Sequence, residues 1–194
     1  MRVNEIFYSI QGEGAHTGEA AIFVRLSGCN LRCEFCDTNH QPNKDLTEDE
    51  IASEIAKYPS NLVVITGGEP TLQLTPSLIG KIHELGKTVA IETNGTREIP
   101  RGVDWVTVSP KAAFLGKVAE PIVKVAQEVK IVLDLDHEYQ DPTFGITAAH
   151  YYVQPCDTGD EEMNAQIIEY CINFIKHNPL WKLSLQTQKI LRVR

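Results

Sequence analysis

Three cysteines fall within eight residues, Cys29, Cys33 and Cys36, in the spacing C-x3-C-x2-C. One loop with that spacing can wrap a compact metal centre, and thiolates are the ligands that suit iron-sulfur chemistry. A four-iron cluster usually takes four protein thiolates, so three leave one iron open to bind a small molecule. Zinc is the alternative, since His40 follows Cys36 by four residues and three cysteines with one histidine form a recognised structural set. Cys156 and Cys171 are two further thiols in a chain with an odd total of five. Cys171 lies on the apolar stripe of a helical segment and reads as a buried structural cysteine. Cys156 is open to either role.

Other chemistry-bearing residues stand immediately after apolar runs: Gly67-Gly68-Glu69-Pro70, Glu92-Thr93-Asn94, Ser109-Pro110-Lys111 and Gln154-Pro155-Cys156-Asp157. Thr66 closes its run. Ahead of the first run lies Ile10-Gln11-Gly12-Glu13-Gly14, whose amide, carboxylate and backbone groups could edge a flat, hydrogen-bonding ligand or simply form a Gly-rich turn. Arg25 is sharper. It interrupts Ala21-Ile22-Phe23-Val24-Arg25-Leu26, where an unpaired charge is costly to bury. Either a ligand carboxylate or a structural acidic partner would satisfy it.

The elements that must position these groups are short β-branched strands, expected at 21–26, 62–66, 88–92, 105–109, 129–133, 151–154 and 183–186. Helices alternate with them. Thr47-Glu48-Asp49-Glu50 is a capping box ahead of Ile51 and Ile55; a second helix runs from Thr75-Pro76 to Gly86, and a third follows Asp160. The alternation predicts a parallel α/β sheet, whose strand carboxyl ends form one ligand-binding rim, so the separate segments converge on one site. With 194 residues, the chain fits a single domain, residues 1–194. Acidic residues outnumber basic ones by 26 to 18, giving a net charge of −8, so nucleic acid is not an expected direct partner. No apolar run approaches membrane-spanning length and no signal core opens the chain. Clustered cysteines suit a reducing compartment, and a cytoplasmic location is expected.

C-x3-C-x-aromatic-C, with Phe35 before the last cysteine, together with Gly67-Gly68-Glu69-Pro70, resembles the radical S-adenosylmethionine superfamily. With Tyr8-Ser9-Ile10-Gln11-Gly12-Glu13-Gly14, Arg25, Cys36-Asp37-Thr38, Ser109-Pro110-Lys111 and Ser184-Leu185-Gln186-Thr187, the chain is similar to the family of 7-carboxy-7-deazaguanine synthases from residue 5 nearly to its end. The resemblance implies a modified, incomplete (β/α) barrel and conversion of 6-carboxy-5,6,7,8-tetrahydropterin to 7-carboxy-7-deazaguanine with loss of ammonia. It implies a 4Fe-4S cluster on Cys29, Cys33 and Cys36, and Mg2+ near Thr38. Substrate contacts would come from Ile10, Gln11, Gly12, Glu13, Arg25 and Thr66. For S-adenosylmethionine it implies Phe35, Cys36, Asp37, Gly68, Glu69, Glu92, Thr93, Asn94, Ser109, Pro110, Lys111, Gln154, Pro155, Cys156 and Asp157. Read without the family, Asp37 is a turn former, Thr38 a loop hydroxyl bonding nearby backbone, and Lys111 a solvated lysine. The family further implies an electron donor such as flavodoxin or ferredoxin, a homodimer, and an S-adenosylmethionine that is regenerated.

The chain departs from the pattern in places. It is short for a full barrel and weakly helical over 110–150. Gln188 stands where the family often has histidine, and the part played by the end of the chain, at Arg194, is open. Two rival classes share some of these features. A glycyl-radical activating enzyme has the same cysteine loop and Gly-Gly-Glu-Pro turn but acts on a protein, and a zinc-stabilised binding module would be colourless after aerobic purification.

Overall fold

The computed structural model describes residues 1–36, 38 and 44–194. Among these residues lie nine strands, β1 (Arg2–Ile10), β2 (Ala20–Leu26), β3 (Lys44–Asp45), β4 (Leu62–Gly67), β5 (Thr88–Thr93), β6 (Trp105–Val108), β7 (Val125–Leu133), β8 (Thr147–Pro155) and β9 (Trp181–Leu183). The helices are α1 (Glu48–Ile55), α2 (Pro76–Glu84), α3 (Ala112–Leu115), α4 (Glu161–His177) and α5 (Thr187–Leu191). The strands form one open sheet in the order β3-β1-β2-β4-β5-β6-β7-β8-β9. From β2 to β9 every pair is parallel. This is the incomplete barrel expected; among the described residues no helix returns β5 to β6 or β7 to β8.

The expectation of an all-parallel sheet needs one correction. β1 lies antiparallel to both β2 and β3, so Gln11–Gly14 links two strands and does not precede the first. A register shift between Val3 and Glu5 breaks the alternation that would have exposed β1 in the sequence. At the other edge the expected strand over 183–186 is Trp181–Leu183 instead. After Ser184 N–H donates to Val153 O at 2.8 Å the chain leaves the sheet.

Register sorts the side chains into layers, because successive residues face opposite sides of a strand. Ile22, Val63 and Val89 are neighbours on the helix-covered face, as are Val24, Ile65, Ile91 and Val106, all buried. On the concave face Phe7, Phe23, Val64, Ala90 and Trp105 lie side by side as an apolar floor, with Phe7 and Phe23 stacked at 4.9 Å. Two residues further along each strand the same face turns polar. Arg25 pairs with Thr66, Glu92 with Thr107, and Thr107 with Glu128. The helices form where the sequence caps them. Glu50 N–H donates to Thr47 Oγ1 at 3.2 Å and Thr47 N–H to Glu50 Oε2 at 2.7 Å, completing the capping box. Ile51 and Ile55 of α1 and Leu78, Ile79 and Ile82 of α2 then seal the convex side.

Candidate active site

The concave face encloses a cavity of about 290 Å³ at the carboxyl ends of the parallel strands. Of the expected site residues, Ile10–Glu13, Arg25, Cys29, Cys33, Phe35, Cys36, Thr38, Thr66, Gly68, Glu92–Asn94, Ser109, Lys111 and Gln154–Asp157 all line it. Two do not. Pro110 is set back from the wall, and the Glu69 carboxylate turns into the protein. There it accepts from Thr71 N–H at 3.0 Å, Thr71 Oγ1 at 2.6 Å, Thr93 Oγ1 at 2.7 Å and Asn94 N–H at 2.8 Å. Glu69 therefore fastens the Gly-Gly-Glu-Pro turn to the end of β5. Asp37 and the alternative zinc ligand His40 lie outside the described residues.

The cysteine loop and the Gly-Gly-Glu-Pro turn are joined backbone to backbone. Gly68 N–H donates to Leu26 O at 3.0 Å and Glu69 N–H to Gly28 O at 2.9 Å. A Cβ on Gly68 would stand 1.9 Å from Gly28 O, so glycine is required by close approach. Asn30 extends the junction, receiving a bond from Asn94 Nδ2 at 3.0 Å and donating to Thr96 Oγ1 at 2.9 Å. Cys29 and Cys33 are half-buried, and burial pushes both thiols up from their ordinary value; at Cys33 the Lys111 charge works against that rise. Burial likewise brings Lys111 down to about 8. Its ammonium donates to Ser109 Oγ at 2.5 Å and lies 5.8 Å from the Phe35 ring centroid. Three thiols on one loop at a cavity wall, with a cation beside them, fit an iron-sulfur cluster that is open on one side. Cys156 also lines the cavity, but from the segment after β8, whereas Cys171 is wholly buried in α4, where burial pushes its thiol up to about 12.

Beyond the floor, the polar layer is densely wired. Gln11 Nε2 donates to Glu92 Oε1 at 3.0 Å, and Thr66 Oγ1 to Glu92 Oε2 at 2.9 Å. The Gln11 carboxamide is fixed in turn, because its Oε1 accepts from Gly12 and Glu13 N–H at 2.8 and 3.2 Å. Glu13 accepts from Gln188 Nε2 at 2.9 Å and Gln186 Nε2 at 3.1 Å, and is paired with Lys130. Burial would raise the Glu13 carboxyl, but the Lys130 charge and these hydrogen bonds prevail and hold it down to about 2. The segment carrying Gln11–Glu13 is anchored from below. Gly14 N–H donates to Ser184 Oγ at 2.9 Å and Ala15 N–H to Glu128 Oε2 at 2.8 Å. At Gly14, φ is +65° and a Cβ would meet Glu128 Oε1 at 2.2 Å, so here too only glycine fits. Arg25 finds an acidic partner in Glu5, with Nε to Oε1 at 3.1 Å, while its side chain lines the cavity.

Sequence reasoning missed Lys130, Thr107, Val132, Lys189 and the floor residues Phe7 and Phe23, all of which line the cavity, as do Gln186, Gln188 and Arg194 of the terminal segment, which the sequence had pointed to without a role. Lys130 carried a signal. It interrupts the run Val129-Lys130-Ile131-Val132-Leu133 as Arg25 interrupts its own strand.

Residues 23–133 match the family model of the Radical SAM superfamily. With its three-cysteine loop at the mouth of an incomplete barrel, the chain is a radical S-adenosylmethionine protein, a class whose cofactors are a 4Fe-4S cluster and S-adenosylmethionine. The 7-carboxy-7-deazaguanine synthase of Bacteroides thetaiotaomicron is 45% identical over all of this chain and 98% of its own length. That of Caulobacter vibrioides is 37% identical over 97% of each. The crystal structure of QueE from Escherichia coli superposes with a TM-score of 0.71 at 27% identity, covering 94% of this chain and 92% of that one. The chain belongs to the 7-carboxy-7-deazaguanine synthase family.

Proposed function

We propose that this chain converts 6-carboxy-5,6,7,8-tetrahydropterin to 7-carboxy-7-deazaguanine with loss of ammonia, a step toward queuosine and related deazapurines. The observation that carries the reading is the polar layer of Gln11, Glu13, Arg25, Thr66 and Glu92 set in the same cavity as the cysteine loop. A pterin is flat and edged with donors and acceptors, and carboxylates and amides fixed in advance recognise such an edge. Arg25 faces the substrate carboxylate, which it can bind by its guanidinium fork while Glu5 holds it in place.

Cys29, Cys33 and Cys36 would hold the cluster, and Gly68, Ser109 and Lys111 would meet S-adenosylmethionine, with Lys111 placed beside its carboxylate. When bound, these groups would supply radical chemistry: an electron passed from cluster to S-adenosylmethionine, and removal of a hydrogen atom from the substrate. The protein's own part is positional. The Phe7 and Phe23 floor keeps water from beneath the ring, Gln11 and Glu13 fix the ring in its plane, and Arg25 sets its rotation, so that one carbon faces the mouth of the cavity. Thr38 would offer a single hydroxyl to Mg2+, which prefers few protein ligands and completes its shell with substrate oxygens and water.

A single sheet running from β1 to β9 supports reading residues 1–194 as one domain. Among the described residues no helix is long and apolar enough to cross a membrane, and cytoplasmic residence follows from the reducing conditions the cluster needs. Flavodoxin or ferredoxin as electron donor and a homodimeric assembly complete the proposal. The names of the full-length relatives favour this reading over an activating enzyme or a zinc module.

The test is anaerobic. Reconstituted protein with dithionite, S-adenosylmethionine, Mg2+ and 6-carboxytetrahydropterin should yield 7-carboxy-7-deazaguanine by mass spectrometry, with far less S-adenosylmethionine consumed than product formed. Cleavage of S-adenosylmethionine without deazapurine would overturn the substrate, and an intact cluster giving neither would overturn the enzyme.

A further inference from the structure

Lys130 sits on β7 with its side chain only 7% exposed, pointing into the cavity from the strand face that carries Glu128. Its ammonium is paired with Glu13 and stands 3.8 Å from Glu92 Oε1. An isolated buried ammonium is strongly unfavourable, so its place must be set by what surrounds it. Lys87, just ahead of β5 and beside the loop leading into β4, shows the alternative solution. It is equally withdrawn from water, yet its ammonium is capped by the neutral carbonyls of Tyr58 and Ser60 at 2.9 and 2.6 Å. Lys130 ends instead among carboxylates that line the site.

Three carboxylates, Glu13, Glu92 and Glu128, share this small space. Burial already favours a proton on Glu128, and without the Lys130 cation Glu13, its direct partner, would take up a proton too and become a donor. That change would propagate. The Gln11 carboxamide is oriented by donating to Glu92 Oε1, and Glu13 is held by donors from Gln186 and Gln188.

We propose that Lys130 is a positioning residue for substrate recognition, holding Glu13 as a carboxylate and Glu92 in place beside it, so that the site presents acceptors to the N–H-rich edge of the pterin. The proposal rests on the functional reading above and acts through Glu13, Glu92 and Gln11. The charged groups facing Lys130 are Glu13 from the segment after β1, Glu92 from β5, Glu128 on its own strand and Lys111 from the segment after β6. The first three favour its charge, while Lys111 opposes it.

Lys130→Met and Lys130→Arg, each checked for fold by circular dichroism, would be loaded with cluster and S-adenosylmethionine. Affinity for 6-carboxypterin is then read by its fluorescence between about pH 5.5 and about pH 7, below the range in which Lys111 loses its proton, beside KM and kcat for 6-carboxytetrahydropterin. Wild type and Lys130→Arg should bind with a flat pH profile. Lys130→Met should bind about tenfold to a hundredfold more weakly near pH 6, the loss expected for a charge-assisted hydrogen bond, and recover toward wild type as pH rises. KM should follow Kd, with kcat at saturation changing less than about threefold.

A Met variant that binds normally, or is weakened equally at every pH, overturns the proposal, as does an Arg variant that behaves like Met. Should Lys130→Met fail to fold, the wild-type profile and Lys130→Arg still decide, since wild-type binding that weakens below about pH 7 is incompatible with a Glu13 held ionised. Wild type that neither binds nor turns over the pterin defeats the functional reading and this proposal together. Normal wild-type turnover with a pH-insensitive Lys130→Met defeats only the proposal.

Discussion

Replacing Gly68 by alanine puts a methyl carbon 1.9 Å from Gly28 O and 2.4 Å from its carbonyl carbon, against a closest real approach of 3.0 Å. The turn must retreat from the cysteine loop by about 1 Å or more to relieve that contact. Retreat stretches Gly68 N–H to Leu26 O and Glu69 N–H to Gly28 O from 3.0 and 2.9 Å to beyond hydrogen-bonding range. Two such bonds are worth together about 1–3 kcal/mol, before any loss at the Glu69 carboxylate. For a chain of this size about 2 kcal/mol lowers Tm by roughly 4–8 °C. Gly80 is the internal control. It lies within α2, where a Cβ would meet nothing within 4 Å, so Gly80→Ala should gain about 0.5–1 kcal/mol from the lower helix cost of alanine. Thermal unfolding of the cluster-free proteins gives both numbers. Binding of S-adenosylmethionine by the reconstituted proteins tests whether the displaced turn spoils the site, with Gly68→Ala expected to lose at least about tenfold in affinity and Gly80→Ala none. Gly68→Ala with an unchanged Tm and normal affinity would refute the claim that backbone contact between these loops builds the site.

Iron and sulfide assays should separate the cysteines: Cys33→Ala abolishes cluster loading, whereas Cys171→Ala loads fully and shows only a lower Tm from the cavity left in α4. Arg25→Gln should raise KM for the carboxylated pterin by about tenfold to a hundredfold while changing kcat much less, as expected for loss of a ground-state ionic contact; an unchanged KM would leave Arg25 as a partner of Glu5 alone. The acid limb of stability should depend on Glu13. Its folded value of about 2 lies below the ordinary 4.5, so its contribution is complete above 4.5 and is lost as pH falls toward 2. Glu13→Gln should therefore be less stable than wild type near neutrality and flatter across that interval. Parallel acid unfolding curves for the two proteins would contradict the Lys130 pairing.

The chain's local rules made much of this legible before any fold was known. The cysteine spacing, the Thr47 capping box and the β-branched runs followed by polar segments depend on neighbours a few residues apart, and parallel strands bring their carboxyl ends to one rim whatever the details. That was enough to place nearly every expected site residue on one cavity. What the sequence could not settle depends on which strand lies beside which. β1 hid behind a register shift, and Glu5, the partner of Arg25, came with it. Lys130 stands out as a charge inside an apolar run, but which carboxylates face it is decided only when the sheet curls around the cavity. The segment carrying Gln186 and Gln188 lies over 170 residues from Glu13 in the chain, yet bonds to it. Residue types and short spacings fixed which chemistry is present, because ligand geometry and capping are local. Tertiary structure decided which charges face one another, because that depends on sheet order and curvature, which no short window of sequence contains.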